Sequence, residues 1–446
     1  MKIITRFAPS PTGFLHVGNV RTALINWLFT KKTNGTFILR MDDTDKLRSK
    51  PEYAAQIKED LMWLGIDYDV SFSQSSRENH YAKTTDLLIE MGRLYPCFET
   101  QEELEIKRKF LLQAGKPPIY DRSSLKLSSE QIEQKKASGL RPHYRFKLNS
   151  GKINWHDLIR GEIEFQAENL SDPILIREDG SLTYMLSSVV DDIDYNITHI
   201  ARGEDHITNT AISLQIIEAL GGKVPNLAHL SLLKTKDSEI SKRDGGFDIK
   251  SLKTDNIEPL TILSMLARMG SKNNIDIARN TCELINEFDF TNYSKSPVIY
   301  DIQELYRLNQ KLLATYSYAD ILPQITSLGM KISEELWDII KSSLHSLNEL
   351  QEWQNICYKE IIPIIKEADQ EFLNLAKEYL PPDLTVKGAY MNWLEIIKTK
   401  TDRKGKSLFM PLRLAITAKE HGPELDRLLA IIPRQQIILR LSGLKG

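Results

Sequence analysis

Arg6-Phe7-Ala8-Pro9-Ser10-Pro11-Thr12-Gly13-Phe14-Leu15-His16-Val17-Gly18 is the stretch that decides how this chain reads. A short apolar strand over residues 3–7 runs into a Pro/Gly turn, and the turn opens onto a helix beginning near His16. The first turn of a helix carries N–H groups without intrahelical partners and the positive end of the peptide dipoles, so it suits phosphate. Gly18 has no Cβ and permits close approach of the backbone to a bulky ligand. His16 adds a ring donor at the same place. Two prolines, two glycines and a histidine between strand and helix exceed what an ordinary capped turn requires.

Outward from this stretch the periodicity alternates. Val17, Val20, Leu24 and Leu28 recur at helical spacing, Asn34-Gly35 turns the chain, and residues 36–41 form a second strand. Ser49-Lys50-Pro51-Glu52 reads as a capping box, and the helix it opens runs to about Leu64 and stops at Gly65. Strand, helix, strand, helix implies a parallel sheet with right-handed crossovers. Ligands of such sheets sit at the carboxyl ends of the strands, where both the 8–18 turn and Asp42-Asp43-Thr44-Asp45 fall. From about Leu94 the pattern changes to loops and short strands at 143–148 and 163–166, which predicts an insertion over 96–190 with its own small core. The alternation resumes with a strand at 198–202, a helix at 208–220 and a strand at 227–233. Beyond about residue 250 the pattern is purely helical, as at 259–269, 302–313, 334–347 and 435–441.

A length of 446 residues, 41% of them apolar, allows roughly two or three domains with real cores. The net charge of −2 excludes a global attraction to nucleic acid. Locally, residues 101–150 hold eleven Lys/Arg against six Asp/Glu, and residues 395–446 hold eleven against five. Residues 331–380 reverse the balance, with five against ten. Two basic regions separated by an acidic one fit a long polyanion touched at two places. Cys97, Cys282 and Cys357 are far apart, which argues against a disulfide framework or a zinc knuckle and fits a reducing compartment. Neither a signal peptide nor a membrane span is legible, so a cytoplasmic protein with no membrane partner is expected.

His16-Val17-Gly18-Asn19 resembles the HIGH signature of class I aminoacyl-tRNA synthetases, and the longer Arg6–Gly18 block resembles the glutamyl-tRNA synthetases in particular. The similarity continues through Arg21-Thr22-Ala23-Leu24, Asn26-Trp27-Leu28-Phe29 and Leu39-Arg40-Met41-Asp42-Asp43-Thr44-Asp45. Glu239-Ile240-Ser241-Lys242-Arg243 is similar to the family's KMSKS loop, whose glutamyl version reads Lys-Leu-Ser-Lys-Arg. Glu239 departs from it by standing where the first lysine is expected, and Lys234 or Lys236 would have to supply that charge. Met410-Pro411-Leu412-Arg413 and His421-Gly422-Pro423-Glu424-Leu425 resemble the family's anticodon-domain pattern. The resemblance covers essentially the whole chain. It implies an α/β split Rossmann catalytic domain with an α+β insertion, followed by an all-α C-terminal anticodon-binding region. The implied division is a first Rossmann half at 1–95, an acceptor-stem insertion at 96–190 and a second half at 191–250. A helical stem-contact region at 251–320 and an anticodon-binding domain at 321–446 complete it.

The reaction implied has two steps: glutamate's carboxylate attacks the α-phosphate of ATP, and a terminal adenosine hydroxyl of tRNA then attacks the adenylate. Neither step needs a protein nucleophile; both need anions held in position and developing charge stabilised. By the resemblance His16 and Lys242 are catalytic, and His16, Gly18, Ser241, Lys242 and Arg243 bind ATP. Arg6, Ala8, Ser10, Asp42, Tyr184, Ser188 and Arg202 would bind glutamate, with Arg6 clamping the side-chain carboxylate. Asp42 stands where the family has an ammonium-binding glutamate, one methylene longer. Thr183–Asp192 resembles a family element, although taken alone it reads as a buried strand-to-helix edge with solvent-facing aspartates. Mg²⁺ is expected with ATP, held by phosphate oxygens and water rather than by protein ligands. No structural zinc is expected, because Cys97 is the sole cysteine of the insertion. The implied partners are L-glutamate and tRNA(Glu), with tRNA(Gln) left open, acting on a monomer. A tRNA-modifying relative without an anticodon domain and a non-catalytic tRNA-binding paralogue, marked by Glu239, are the competing readings.

Overall fold

The computed structural model describes residues 2–234 and 247–446, so Lys236, Glu239, Ser241, Lys242 and Arg243 lie outside the described residues. The chain forms two compact units, one of residues up to 251 with 262–301, the other of 252–261 with 302–446.

In the first unit the order is β1 (Ile4–Phe7), α1 (Val17–Lys32), β2 (Thr36–Met41), α2 (Pro51–Trp63), β3 (Val70–Ser73), α3 (Glu78–Glu90) and β4 (Leu94–Cys97). Then come α4 (Gln101–Gln113), α5 (Ser129–Ala137), β5 (His143–Phe146), β6 (Lys152–Asp157), β7 (Gly161–Gln166) and β8 (Ile174–Ile176). Then follow α6 (Tyr184–Asp194), β9 (His199–Gly203), α7 (Ile207–Ala219), β10 (Asn226–Leu230), β11 (Leu233–Lys234) and, after further helices, β12 (Val298–Ile299).

β1 pairs in parallel with β2, and β2 with β3; β9 pairs in parallel with β10. Thr198, just before β9, joins the halves: its N–H donates to the Ile4 carbonyl at 2.9 Å and its hydroxyl accepts from the Ile4 N–H at 2.8 Å. The parallel strands therefore run β3-β2-β1-β9-β10, and the winding reverses between β1 and β9, where a doubly wound sheet opens a ligand crevice. α1 covers this junction and is buried on nearly every side, Arg21 and Asn26 included. Asn26 Nδ2 donates to the Ala201 carbonyl at 2.9 Å and its Oδ1 accepts from the Ala201 N–H at 3.1 Å, bolting α1 to β9.

Several local features differ from the sequence expectation. Ser49 does not cap α2: Pro51 occupies the first helical turn, Lys50 is the N-cap without a side-chain bond, and the Ser49 hydroxyl is buried without a partner. The strand at 163–166 is half of a β6–β7 hairpin, and β6 joins β10 at Asp157 beside Leu227, which ties this hairpin to the main sheet. β4, β5 and β8 make a separate antiparallel sheet. The chain after 250 is not wholly helical, since β12 pairs with β11.

In the second unit Trp337, Trp353 and Trp393 anchor one apolar core. The helix expected over 334–347 ends at Ile340 and tightens into a 3-10 turn at Lys341–Ser343, where two serines offer the backbone competing hydrogen bonds. Gly422 has φ +151°, and a Cβ there would lie 2.4 Å from the Trp353 ring, so the 421–425 motif needs its glycine.

Candidate active site

α1 begins at the carboxyl end of β1 with His16 as its N-cap. His16 Nδ1 accepts from the N–H of Gly18 at 3.1 Å and of Asn19 at 3.3 Å, so in the neutral ring the proton sits on Nε2. A Cβ on Gly18 would meet the His16 ring at 3.0 Å; the glycine makes room for the histidine that caps the helix. The chain returning from residue 246 zips onto this point. Val17 donates to the Phe247 carbonyl at 2.8 Å, Ile249 donates to the Leu15 carbonyl at 2.9 Å, and His16 bridges Asp248. The chain leading to residue 235 is held as well, because the buried Arg21 donates to the Ser231 carbonyl at 2.7 Å. Ser231 and residues 247–249 thus both meet the chain over residues 15–21.

Beside this turn lies a buried charge network. Arg6 of β1 forks onto Asp192 of α6, with Nε and Nη2 each 3.1 Å from a carboxylate oxygen. Arg40 of β2 donates to Asp192 at 2.9 Å and to both oxygens of Asp42 at 2.6 and 3.2 Å. Ser188 of α6 closes the ring, its hydroxyl donating to Asp42 at 3.3 Å and its carbonyl accepting from Arg40 at 3.2 Å. Asp191 accepts from Gln74, Arg77 and Tyr81 at 2.8 to 3.0 Å. Burial works against ionisation of Asp192, but Arg6 and Arg40 overcome it and hold the carboxyl below its usual range. Burial likewise opposes charge on Arg40, and Asp42 and Asp192 reverse that and raise it. Asp191 and Asp192 are therefore not solvent-facing, because α6 turns that face inward onto two arginine-bearing strands.

Arg202, at the carboxyl end of β9, is different. Burial, reinforced by Arg6, lowers its pKa to about 10. Its Nη2 donates to the Thr210 hydroxyl at 2.5 Å, its Nε is buried without a partner, and no carboxylate among the described residues forms an ion pair with it. His206 Nδ1 is likewise buried without a partner, its ring edge-on to Tyr184 at 6.4 Å between centroids. Tyr184 accepts from Asn209 Nδ2 at 2.5 Å and stays 41% exposed. Two unsatisfied polar atoms thus lie beside a partly exposed phenol at the switch point of the sheet, where ligands of such sheets bind.

The family described as tRNA synthetases class I (E and Q), catalytic domain, matches residues 2–307. The chain belongs to this family. An anticodon binding domain matches residues 334–444. The chain is 50% identical over 444 residues to a glutamate–tRNA ligase 1 of Orientia tsutsugamushi, and 47% identical over 441 residues to a glutamate–tRNA ligase 2 of Ehrlichia canis, each comparison covering 99% of both chains. Among solved structures it is similar to a glutamate-tRNA synthetase from Elizabethkingia anophelis, with a TM-score of 0.81, 27% identity and 99% of both chains covered. The class I synthetase fold, a Rossmann-like catalytic region followed by a mostly helical anticodon domain, is that of this chain.

The structure brings Arg6, Asp42 and Ser188 into one network and puts Tyr184 and Arg202 beside it. Ala8 and Ser10 lie in the loop after β1, which is tied to Asp42 by its N–H donating to the Pro9 carbonyl at 3.0 Å. Asp42 does not stand open, since both its oxygens are taken by Arg40. Arg40, Asp192, His206 and Thr210 were not singled out from the sequence as site residues. The spacing of an arginine with an aspartate two residues on, Arg40-Met41-Asp42, was the available signal for the first. Among the described residues one group has metal-ligand spacing: Cys97, Glu99 and His143, with donor atoms within 4.8 Å of one another. Glu99 already accepts from Tyr120 at 2.7 Å, Ser123 at 2.9 Å and Ser124 at 3.0 Å. Burial and then Arg145 lower the His143 pKa to about 4.

Proposed function

We infer that this chain is a glutamate–tRNA ligase: it activates glutamate with ATP and transfers it to the 3′-terminal adenosine of tRNA. The observation that carries the reading is Arg202, a buried guanidinium whose Nε has no partner, where Arg6, Arg40 and Arg77 already have their carboxylates. An acidic amino acid supplies the missing charge. Arg202 and Tyr184 take the glutamate side chain, and the Arg6–Asp192–Arg40–Asp42 ring fixes the wall behind it. The ammonium lies toward Ser188 and Asp42, the place of the family's ammonium-binding carboxylate, whose oxygens Arg40 also holds.

ATP lies over the N-terminus of α1. The His16 ring and the positive end of the α1 dipole face its phosphates, the amides of Val17, Gly18 and Asn19 being taken by Phe247 and His16, and Mg²⁺ travels with them on phosphate oxygens and water. By the family resemblance Ser241, Lys242 and Arg243 bind ATP, and Lys242 meets the charge that develops as pyrophosphate departs. Residues 96–190 hold the acceptor end, residues 251–320 contact the stem, and the C-terminal helices read the anticodon of tRNA(Glu), with tRNA(Gln) as a second substrate to test. The insertion carries no structural zinc. Three donors of which one is saturated by hydroxyls fall short of a closed tetrahedral set. The ligase acts as a cytoplasmic monomer. Glutamate-dependent ATP–pyrophosphate exchange, run with tRNA(Glu) present, tests the reading. Exchange that needs glutamate supports it, and none with any amino acid overturns it in favour of a non-catalytic tRNA-binding protein.

A further inference from the structure

Thr210, His229 and Asp157 take no part in the chemistry assigned above, yet they form a buried chain ending on Arg202. Asp157 closes β6, His229 lies in β10 and Thr210 in α7; the pairing of β6 with β10 brings the first two together. Asp157 Oδ1 accepts the backbone N–H of Ile159 at 3.0 Å, Arg160 at 2.9 Å and His229 at 3.2 Å. Its Oδ2 accepts from His229 Nδ1 at 2.5 Å, which puts the imidazole proton on Nδ1 and makes Nε2 an acceptor. The Thr210 hydroxyl lies 2.7 Å from Nε2 and 3.0 Å from the His206 carbonyl; its single proton goes to the nearer nitrogen. The Thr210 lone pairs then receive Arg202 Nη2 at 2.5 Å. Every donor in the chain points from Arg202 toward Asp157. Asp157 and Thr210 are 1% exposed and His229 is fully buried, so no bulk water competes.

This arrangement answers a problem the fold sets itself. An arginine side chain has several free torsions, and Arg202 has no carboxylate to hold it. Left alone it would swing toward Asp192 or Asp205, both of which pull on it electrostatically. One hydrogen bond donated to an immobile hydroxyl pins one nitrogen of the fork and leaves Nε free for a ligand. A carboxylate in place of Thr210 would pin the fork as well, but would neutralise it and repel an acidic substrate.

We propose that Thr210, His229 and Asp157 are positioning residues that aim Arg202 at the side-chain carboxylate of the amino acid while leaving its charge unspent. The proposal rests on the glutamate-ligase reading and touches substrate only through Arg202.

Thr210→Val keeps the shape of the side chain and removes the hydroxyl, whereas Thr210→Ser keeps the hydroxyl. Exchange is measured on the full-length protein with tRNA(Glu) present, varying glutamate and ATP separately, with thermal melts on each variant. Thr210→Val is expected to raise the glutamate KM about tenfold or more, the scale of a lost hydrogen bond to a charged group, with the ATP KM unchanged. Thr210→Ser is expected to restore the glutamate KM. Asp157→Asn, at the far end of the chain, is expected to raise the glutamate KM selectively too. An unchanged glutamate KM in Thr210→Val, an equal rise for ATP, or failure of Thr210→Ser to rescue would overturn the proposal and leave a chain that only holds β6, β10 and α7 together. If Thr210→Val melts early, Asp157→Asn decides by the same criterion. A wild-type protein without glutamate-dependent exchange would contradict the ligase reading instead, so the two failures are distinct.

Discussion

Replacing Asp192 by asparagine keeps the shape of the side chain and deletes the charge on which Arg6 and Arg40 converge. Asp192 is 8% exposed and accepts three charge-assisted bonds, at 3.1, 3.1 and 2.9 Å. Removing one partner of a buried ion pair costs about 3–5 kcal/mol, because the remaining charges stay buried and uncompensated. Arg40 retains Asp42, and the asparagine oxygen still accepts one bond, so the lower end, about 3 kcal/mol, is expected. The loss falls on the first unit. Urea unfolding followed by tryptophan fluorescence, with Trp27, Trp63 and Trp155 in the first unit and Trp337, Trp353 and Trp393 in the second, shows whether only the first unit's transition moves. The pH dependence has a definite sign. The folded carboxyl is held below its unfolded value, so its contribution is complete above the unfolded Asp pKa of about 3.9 and is lost as pH falls through the depressed folded value. Wild type and Asp192→Asn should therefore differ at neutral pH and converge in acid. A difference at pH 7 below about 1 kcal/mol, or one that persists unchanged in acid, would refute the reasoning.

Lys242→Ala should weaken adenylate formation by about 2–4 kcal/mol of transition-state stabilisation, read as kcat for exchange; near-normal exchange would contradict its role. Arg6→Ala should raise the glutamate KM more than the ATP KM, and equal losses would argue against a place in the glutamate wall. Metal analysis of the purified protein should find well under one zinc per chain, and stoichiometric zinc lost on Cys97→Ala or His143→Ala would overturn the metal-free assignment of the insertion.

The strand–turn–helix at Ile4–Lys32 was legible because its glycines, prolines and apolar spacing each answer to a local rule. So was the switch from alternating to helical pattern. Asp191 and Asp192 were not legible as buried partners: taken alone, consecutive aspartates read as solvated, and only the packing of α6 on β1 and β2 supplies their arginines. The strand β6 was missed although Ile153, Trp155 and Asp157 alternate inward, since one of the three buried members is an aspartate and its reason for burial is His229, 72 residues away. The false capping box at Ser49 shows the reverse error, a local motif overruled by the proline two residues on. Thr210 carried no signal because a hydroxyl in a helix is unremarkable until the strand opposite is known.

Binding of a non-hydrolysable glutamyl-adenylate analogue tests the central claim most directly, since it asks whether one crevice holds adenosine at the α1 turn and an acidic side chain at Arg202. Calorimetric titration should show one tight site per chain, weakened by Arg202→Ala and by His16→Ala alike, and a glutaminyl analogue should bind far more weakly. Equal affinity for the two analogues, or an analogue bound with neither residue mattering, would contradict the account.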